Sequence, residues 1–146
     1  MNIDNLDIIK QLTAEKENEK VEFKETTGQL DRGMETLCAF LNGEGGTVLF
    51  GVTDKGKIIG QDLSDKTKRE IAEAINRLEP TAAVQISYVP LQDSEKKVIT
   101  FHVEDARLNR PFCYKGRAYM RVESVTTTMP QSRYNELLIQ REEIRH

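Results

Sequence analysis

Apolar positions along the 146-residue chain come in short runs, and the spacing of each run names an element. Asn2 or Asp4 is placed to cap a first short helix, in which Ile8, Ile9 and Leu12 share a face that ends near Thr13. The segment KVEFK then alternates. In a strand, Val21 and Phe23 point inward and Lys20, Glu22 and Lys24 outward. After the loop ETTGQLD, Leu30, Met34, Leu37, Cys38 and Leu41 recur at helical spacing, and Asn42-Gly43 offers a left-handed stop.

The run TVLFGV is β-branched and apolar, and TDKGK folds it back on KIIG as a hairpin expected at the centre of a sheet. Ser64 or Asp65 caps a third helix with Ile71, Ala74, Ile75 and Leu78 on its inner face, closed by Glu79-Pro80. Two strands follow, AVQISYV and KKVITFHV, joined through PLQDSE. PFCY and AYMRV come next, around a Lys115-Gly116 turn. Thr126 to Thr128 and Pro130 are expected to open a last helix with Leu137, Leu138 and Ile144 on its apolar side. This order predicts a single α+β domain over residues 1–146, a mostly antiparallel or mixed sheet with helices packed on it. The last helix runs to the final residue with no stop signal, as expected of the N-terminal part of a longer protein.

Composition adds little to the fold but restricts the chemistry. No apolar run approaches a membrane span, and MNIDNLDIIK lacks the charged-then-apolar pattern of a signal peptide, so a cytoplasmic protein is expected. Cys38 and Cys113 lie in separate apolar segments and read as free thiols. His102 and His146 form no metal-ligand pair with each other or with a cysteine. The net charge of −3 conceals an asymmetry. Residues 1–106 carry 13 Lys/Arg against 20 Asp/Glu, and residues 107–146 carry 8 against 4. The later cations are nearly all arginine, which suits phosphate recognition as well as it suits a solvated surface.

The stretch LNGEGGTVLFGVTDKG raises the question of a phosphate-binding loop. Such a loop needs strand, glycines and then helix, because the phosphates rest on the amides that begin the helix. Here a helix precedes the glycines and a strand follows them, with no GK[ST]. Gly43 and Gly46 therefore read as a helix stop and a tight strand entry, and Gly56 as part of the hairpin. The carboxylates offer a different chemistry. Glu17, Glu22 and Asp54 come from separate segments, and if they converge they form a site for one or two divalent ions able to cleave a phosphodiester. The alternative is a solvated Glu22 and an Asp54 that makes the turn.

Four motifs carry a resemblance to a known family: Glu22-Phe23-Lys24, Ala39-Phe40-Leu41-Asn42, Gly51-Val52-Thr53-Asp54 and Tyr119-Met120-Arg121-Val122-Glu123-Ser124. Over roughly residues 15–140 the chain resembles the Schlafen Alba-type domain, also described as a divergent AAA domain of RecG-like helicase-related proteins and transcriptional regulators. The resemblance implies binding of DNA or RNA, with Lys24, Lys115, Arg117 and Arg121 as the backbone-contacting residues. It also maps the three carboxylates of the animal Schlafen ribonucleases onto Glu17, Glu22 and Asp54, which implies magnesium or manganese if the chain is a nuclease. Only one copy of the domain is present, so a paired groove requires a homodimer or further sequence. Glu123 stands where glycine is common in the family. No other cofactor is implied firmly. A nucleotide- or partner-sensing module, with ATP as the nucleotide to test, is the competing reading, favoured by the net acidity and by a chain without tryptophan.

Overall fold

A computed structural model describes residues 2–145, so His146 lies outside the described residues, as does the side chain of Arg145. The elements run α1 (Leu6–Ala14), β1 (Val21–Lys24), a 3-10 turn (Thr27–Gln29), α2 (Leu30–Leu41), β2 (Gly46–Phe50) and α3 (Asp65–Asn76). They continue as β3 (Leu78–Glu79), β4 (Gln85–Pro90), β5 (Lys97–Val103), β6 (Cys113–Tyr114), β7 (Arg117–Val122), β8 (Val125–Thr128) and α4 (Gln131–Arg145). The fold is α+β with two four-stranded sheets. The first is mixed, in the order β1-β2-β5-β4, and the second is antiparallel, in the order β3-β6-β7-β8.

Helix α2 joins the two sheets. Eight of its twelve residues are buried, including Gly33, Thr36 and Ala39 as well as Met34, Leu37, Cys38 and Leu41 of the expected stripe, whose first member, Leu30, is partly buried. A helix with small and apolar residues on nearly every side is covered on nearly every side. Toward the first sheet it packs on Val48, Phe50, Ile99 and Phe101, and Phe50 meets Phe101 edge-on at 5.0 Å. At Gly33 even a methyl group would meet the Phe50 ring, at 2.5 Å. Toward the second sheet, Asn42 at its end donates to Phe112 O and Tyr119 O and accepts from Phe112 N. A smaller core on the opposite face of the first sheet gathers Ile3, Ile9, Val21, Phe23 and Leu49.

Several expectations change. Leu78 begins β3 beyond the end of α3 at Asn76, and Ile144 of the last helix is 49% exposed. The first helix is capped by Asn5, whose side chain accepts from Ile8 N, rather than by Asn2 or Asp4. The segment KIIG adds only a single bridge, Val52 to Ile58, and the true neighbours of β2 are β1, in parallel, and β5. Gly51 and Gly60 explain this. Both have positive φ and their backbones touch, so the chain folds tightly instead of continuing a ladder. Asn42 stays right-handed, and the left-handed residue is Gly45, at φ +92, where a Cβ would lie 2.6 Å from Val103 O. Thr126 to Thr128 belong to β8 and the helix begins only after Pro130, in keeping with the strand preference of threonine.

Candidate functional site

Glu22, expected to point outward to solvent, does alternate away from Val21 and Phe23, but α2 covers that face of β1 and leaves it only 8% exposed. A buried carboxylate needs partners. Arg121 supplies the main one from β7, with Nη1 to Glu22 Oε2 at 2.7 Å, and its side chain is itself only 5% exposed. The same guanidinium donates to Thr126 Oγ1, Asn18 O and Val21 O, and lies over the Phe40 ring at 5.2 Å. Thr36 of α2 closes the cluster, bonding both Glu22 and Thr126. Of the guanidinium N–H groups, the Nε proton alone is buried without a partner among the described residues.

Glu17 joins this cluster from the turn before β1. Its Oε1 accepts from Phe23 N at 2.7 Å. Burial and the hydrogen bond to Glu22 push its pKa up to about 7. Burial acts on Glu22 in the same sense, but the hydrogen bonds from Glu17 and Arg121 outweigh it and hold Glu22 below the ordinary carboxylate range. Below about pH 7 the pair therefore favours a proton on Glu17 shared with an ionised Glu22. Asp54 lies in the exposed turn after β2 and makes no hydrogen bond or ion pair with either glutamate. Among the described residues no group of three His, Cys, Asp or Glu side chains is arranged to hold a metal ion. The expected convergence of Glu17, Glu22 and Asp54 is thus reduced to a pair, since Asp54 sits in the exposed turn after β2, and Glu22 Oε2 is already taken by Arg121 and Thr36.

The expected phosphate contacts divide in the same way. Arg121 is committed inward. Arg117, four residues earlier in β7, is exposed, and Lys115 is exposed in the turn before it. Lys115 and Gly116 both take positive φ, which closes a tight two-residue turn between β6 and β7. Lys115 makes a 2.9 Å contact with Asp31, an exposed pair of small energetic weight. Lys24 ends β1 half-buried, where its charge weakly favours the ionised form of Glu17 and Glu22 without reversing the rise at Glu17. Sequence reasoning missed Asn18, Thr36, Asn42 and Thr126. Of these, only Asn42 carried a signal, as the last residue of the A-F-x-N motif.

The model of one family, described as Schlafen, AlbA_2, matches residues 17–130, which takes in every motif residue of this network. The chain belongs to that family. No curated protein matches it. Among solved structures, the Schlafen, AlbA_2 domain is similar in fold to the DIP2311 protein from Corynebacterium diphtheriae, with a TM-score of 0.56 and 20% sequence identity. The match covers 82% of this chain and 23% of that one, so the chain spans about a quarter of the protein it resembles. No helix among the described residues is long and apolar enough to cross a membrane.

Proposed function

We propose that this Schlafen, AlbA_2 domain binds nucleic acid through its phosphate backbone and serves as the binding module of a transcriptional regulator or RecG-like helicase-related protein. The observation that carries the reading is the exposed Lys115-Gly116 turn with Arg117 beside it, two exposed cations at the end of the second sheet in the basic third of an otherwise acidic chain. Lys24 is a third candidate contact. Arg121 acts from beneath, by holding β7 and β8 against β1 and α2. Backbone contacts carry no sequence information and release counterions, so affinity should be weak, salt-sensitive and nearly sequence-independent.

Fluorescence anisotropy with labelled duplex DNA, single-stranded DNA and RNA tests this. The expected dissociation constant is on the order of micromolar at low salt and weaker at physiological salt. Lys115→Glu with Arg117→Glu should reduce affinity at least tenfold and flatten the salt dependence, with the fold intact by circular dichroism. Failure of every nucleic acid to bind at low salt, or binding unchanged in the double variant, would remove the reading. The metal-dependent nuclease reading has no comparable geometric support, since Glu22 is engaged by Arg121 and Asp54 is separate from the glutamate pair.

A further inference from the structure

A second polar site shares only Lys115 with the interface proposed above. A hollow of about 470 Å³ opens between the start of α2, the outer side of α3 and the β6–β7 turn. Three cations reach its walls from three segments: Arg32 from α2, Arg77 from the end of α3, and Lys115. Nothing in their spacing along the chain announces this meeting. Asp31 organises it, accepting the Tyr114 hydroxyl at 2.6 Å and Lys115 Nζ at 2.9 Å. Arg77 stands near both: its charge helps hold the Asp31 carboxyl below the usual range, after the Tyr114 and Lys115 hydrogen bonds, and its carbonyl faces Lys115 N at 3.4 Å. Asp31 is thereby occupied as a brace for the cations.

Glu70 and Glu73 also line the hollow, from α3, seven and four residues before Arg77 and so on the same stripe of that helix. Glu70 has only a 4.0 Å contact with Lys66, and both side chains are well exposed. Arginine and lysine forks select phosphate, while carboxylates accept hydrogen bonds from vicinal hydroxyls and would repel a second phosphate. A hollow with cations gathered at the end of α3 and acceptors one to two turns earlier suits a ligand that presents one phosphate and, a few ångströms away, free hydroxyl donors. Its volume lies within the range of small-molecule pockets.

We propose that this hollow seats a ribonucleotide unit, with the phosphate on Arg77, Lys115 and Arg32 and the ribose hydroxyls on Glu70 and Glu73. The unit is either a free mononucleotide or the 3′ end of an RNA strand, the two sources that offer a ribose with both hydroxyls free beside a phosphate.

Isothermal titration of the whole chain with AMP, with 2′-deoxy-AMP and with inorganic phosphate tests the assignment. AMP should bind at least fivefold more tightly than 2′-deoxy-AMP. Arg77→Ala should weaken AMP at least tenfold, and Glu73→Gln with Glu70→Gln should erase the preference for the ribose form. A short RNA ending in a free 3′ diol that displaces AMP assigns the seat to a strand end, and one that fails to displace it assigns a free nucleotide. Absence of AMP binding together with absence of 3′-end-dependent RNA binding would overturn the proposal, as would equal affinity for AMP and its deoxy form, or AMP binding indifferent to Arg77→Ala. The two proposals fail separately: Arg117→Glu should leave AMP binding unchanged, and Arg77→Ala should leave duplex DNA binding within about twofold.

Discussion

Arg117 and Arg121 stand on one face of one strand, four residues apart, and do opposite work. Arg121 is buried with its charge against Glu22, its plane on Phe40 and its donors on two backbone carbonyls and a threonine. Arg117 is exposed beside a tight turn. The difference arises from what lies across from each. Arg121 faces the first strand and α2, where an acid is already buried, whereas Arg117 lies at the end of the sheet with solvent around it. The same residue type in the same strand is a tie in one place and an available contact in the other, and sequence pattern does not distinguish them.

The strongest way to break the contrast is Arg121→Met. It leaves Glu22 buried without its ion-pair partner, held only by Thr36 and Glu17, and should cost about 3–5 kcal/mol in chemical denaturation. Adding Glu22→Gln should recover a large part of that loss. If the double variant is no more stable than the single one, the ion pair is not what the arginine contributes.

The second effect is in pH. The folded state raises the pKa of Glu17 from 4.5 to about 7, so it favours the protonated acid. Stability from this group is full below about pH 4.5 and is lost as pH rises through about 7. Because Glu17 is only partly buried, we expect about 1 kcal/mol over that window. Glu22, held low, works in the other direction and matters only in stronger acid. Thermal melts of wild type and Glu17→Gln from pH 5 to 8 check this: the wild type should lose stability across the window and the variant should not.

Glu123 sharpens the comparison at the tip of the same hairpin. It takes φ +55, a left-handed conformation that favours glycine, which accounts for the glycine common at this position in the family. Glu123→Gly should stabilise by about 0.5–1 kcal/mol through relief of that strain. Unchanged denaturation midpoints would show that the turn carries none. The smallest effect is expected at the exposed arginine, where Arg117→Glu should change stability by less than about 0.5 kcal/mol whatever it does to nucleic-acid binding.

Much of the fold was legible because period and punctuation agree: Val21 and Phe23 alternate inward, Ser64 caps α3 through Thr67 N, and Lys115-Gly116 turns. The neighbours joined by short turns, β4 with β5 and β6 with β7, were legible too, and what escaped was the long-range pairing of β1 and β2. TVLFGV identifies β2 as central, but nothing local tells it to pair with residues 97–103 in place of the adjacent KIIG. The site was half legible for the same reason. The motifs named Glu22, Asn42 and Arg121, yet their work depends on contacts across many tens of residues, and their types suggested catalysis and phosphate binding where the structure shows internal ties. Thr36 and Thr126 gave no sign, because a threonine that bonds a buried carboxylate looks like any other.

The bond between Glu22 and Arg121 spans 99 residues of sequence, which has a consequence for synthesis. A ribosome adds about 5–20 residues per second, so the first strand emerges about 5–20 s before its arginine does. Throughout that interval Glu22 has no permanent counter-charge, and packing β1 against α2 would bury a bare anion. The first strand is therefore expected to wait, solvated, until the β7–β8 hairpin has left the ribosome. A chain stalled or cleaved before residue 121 should accumulate with α2 poorly covered and open to proteolysis, however complete its first sheet is in sequence.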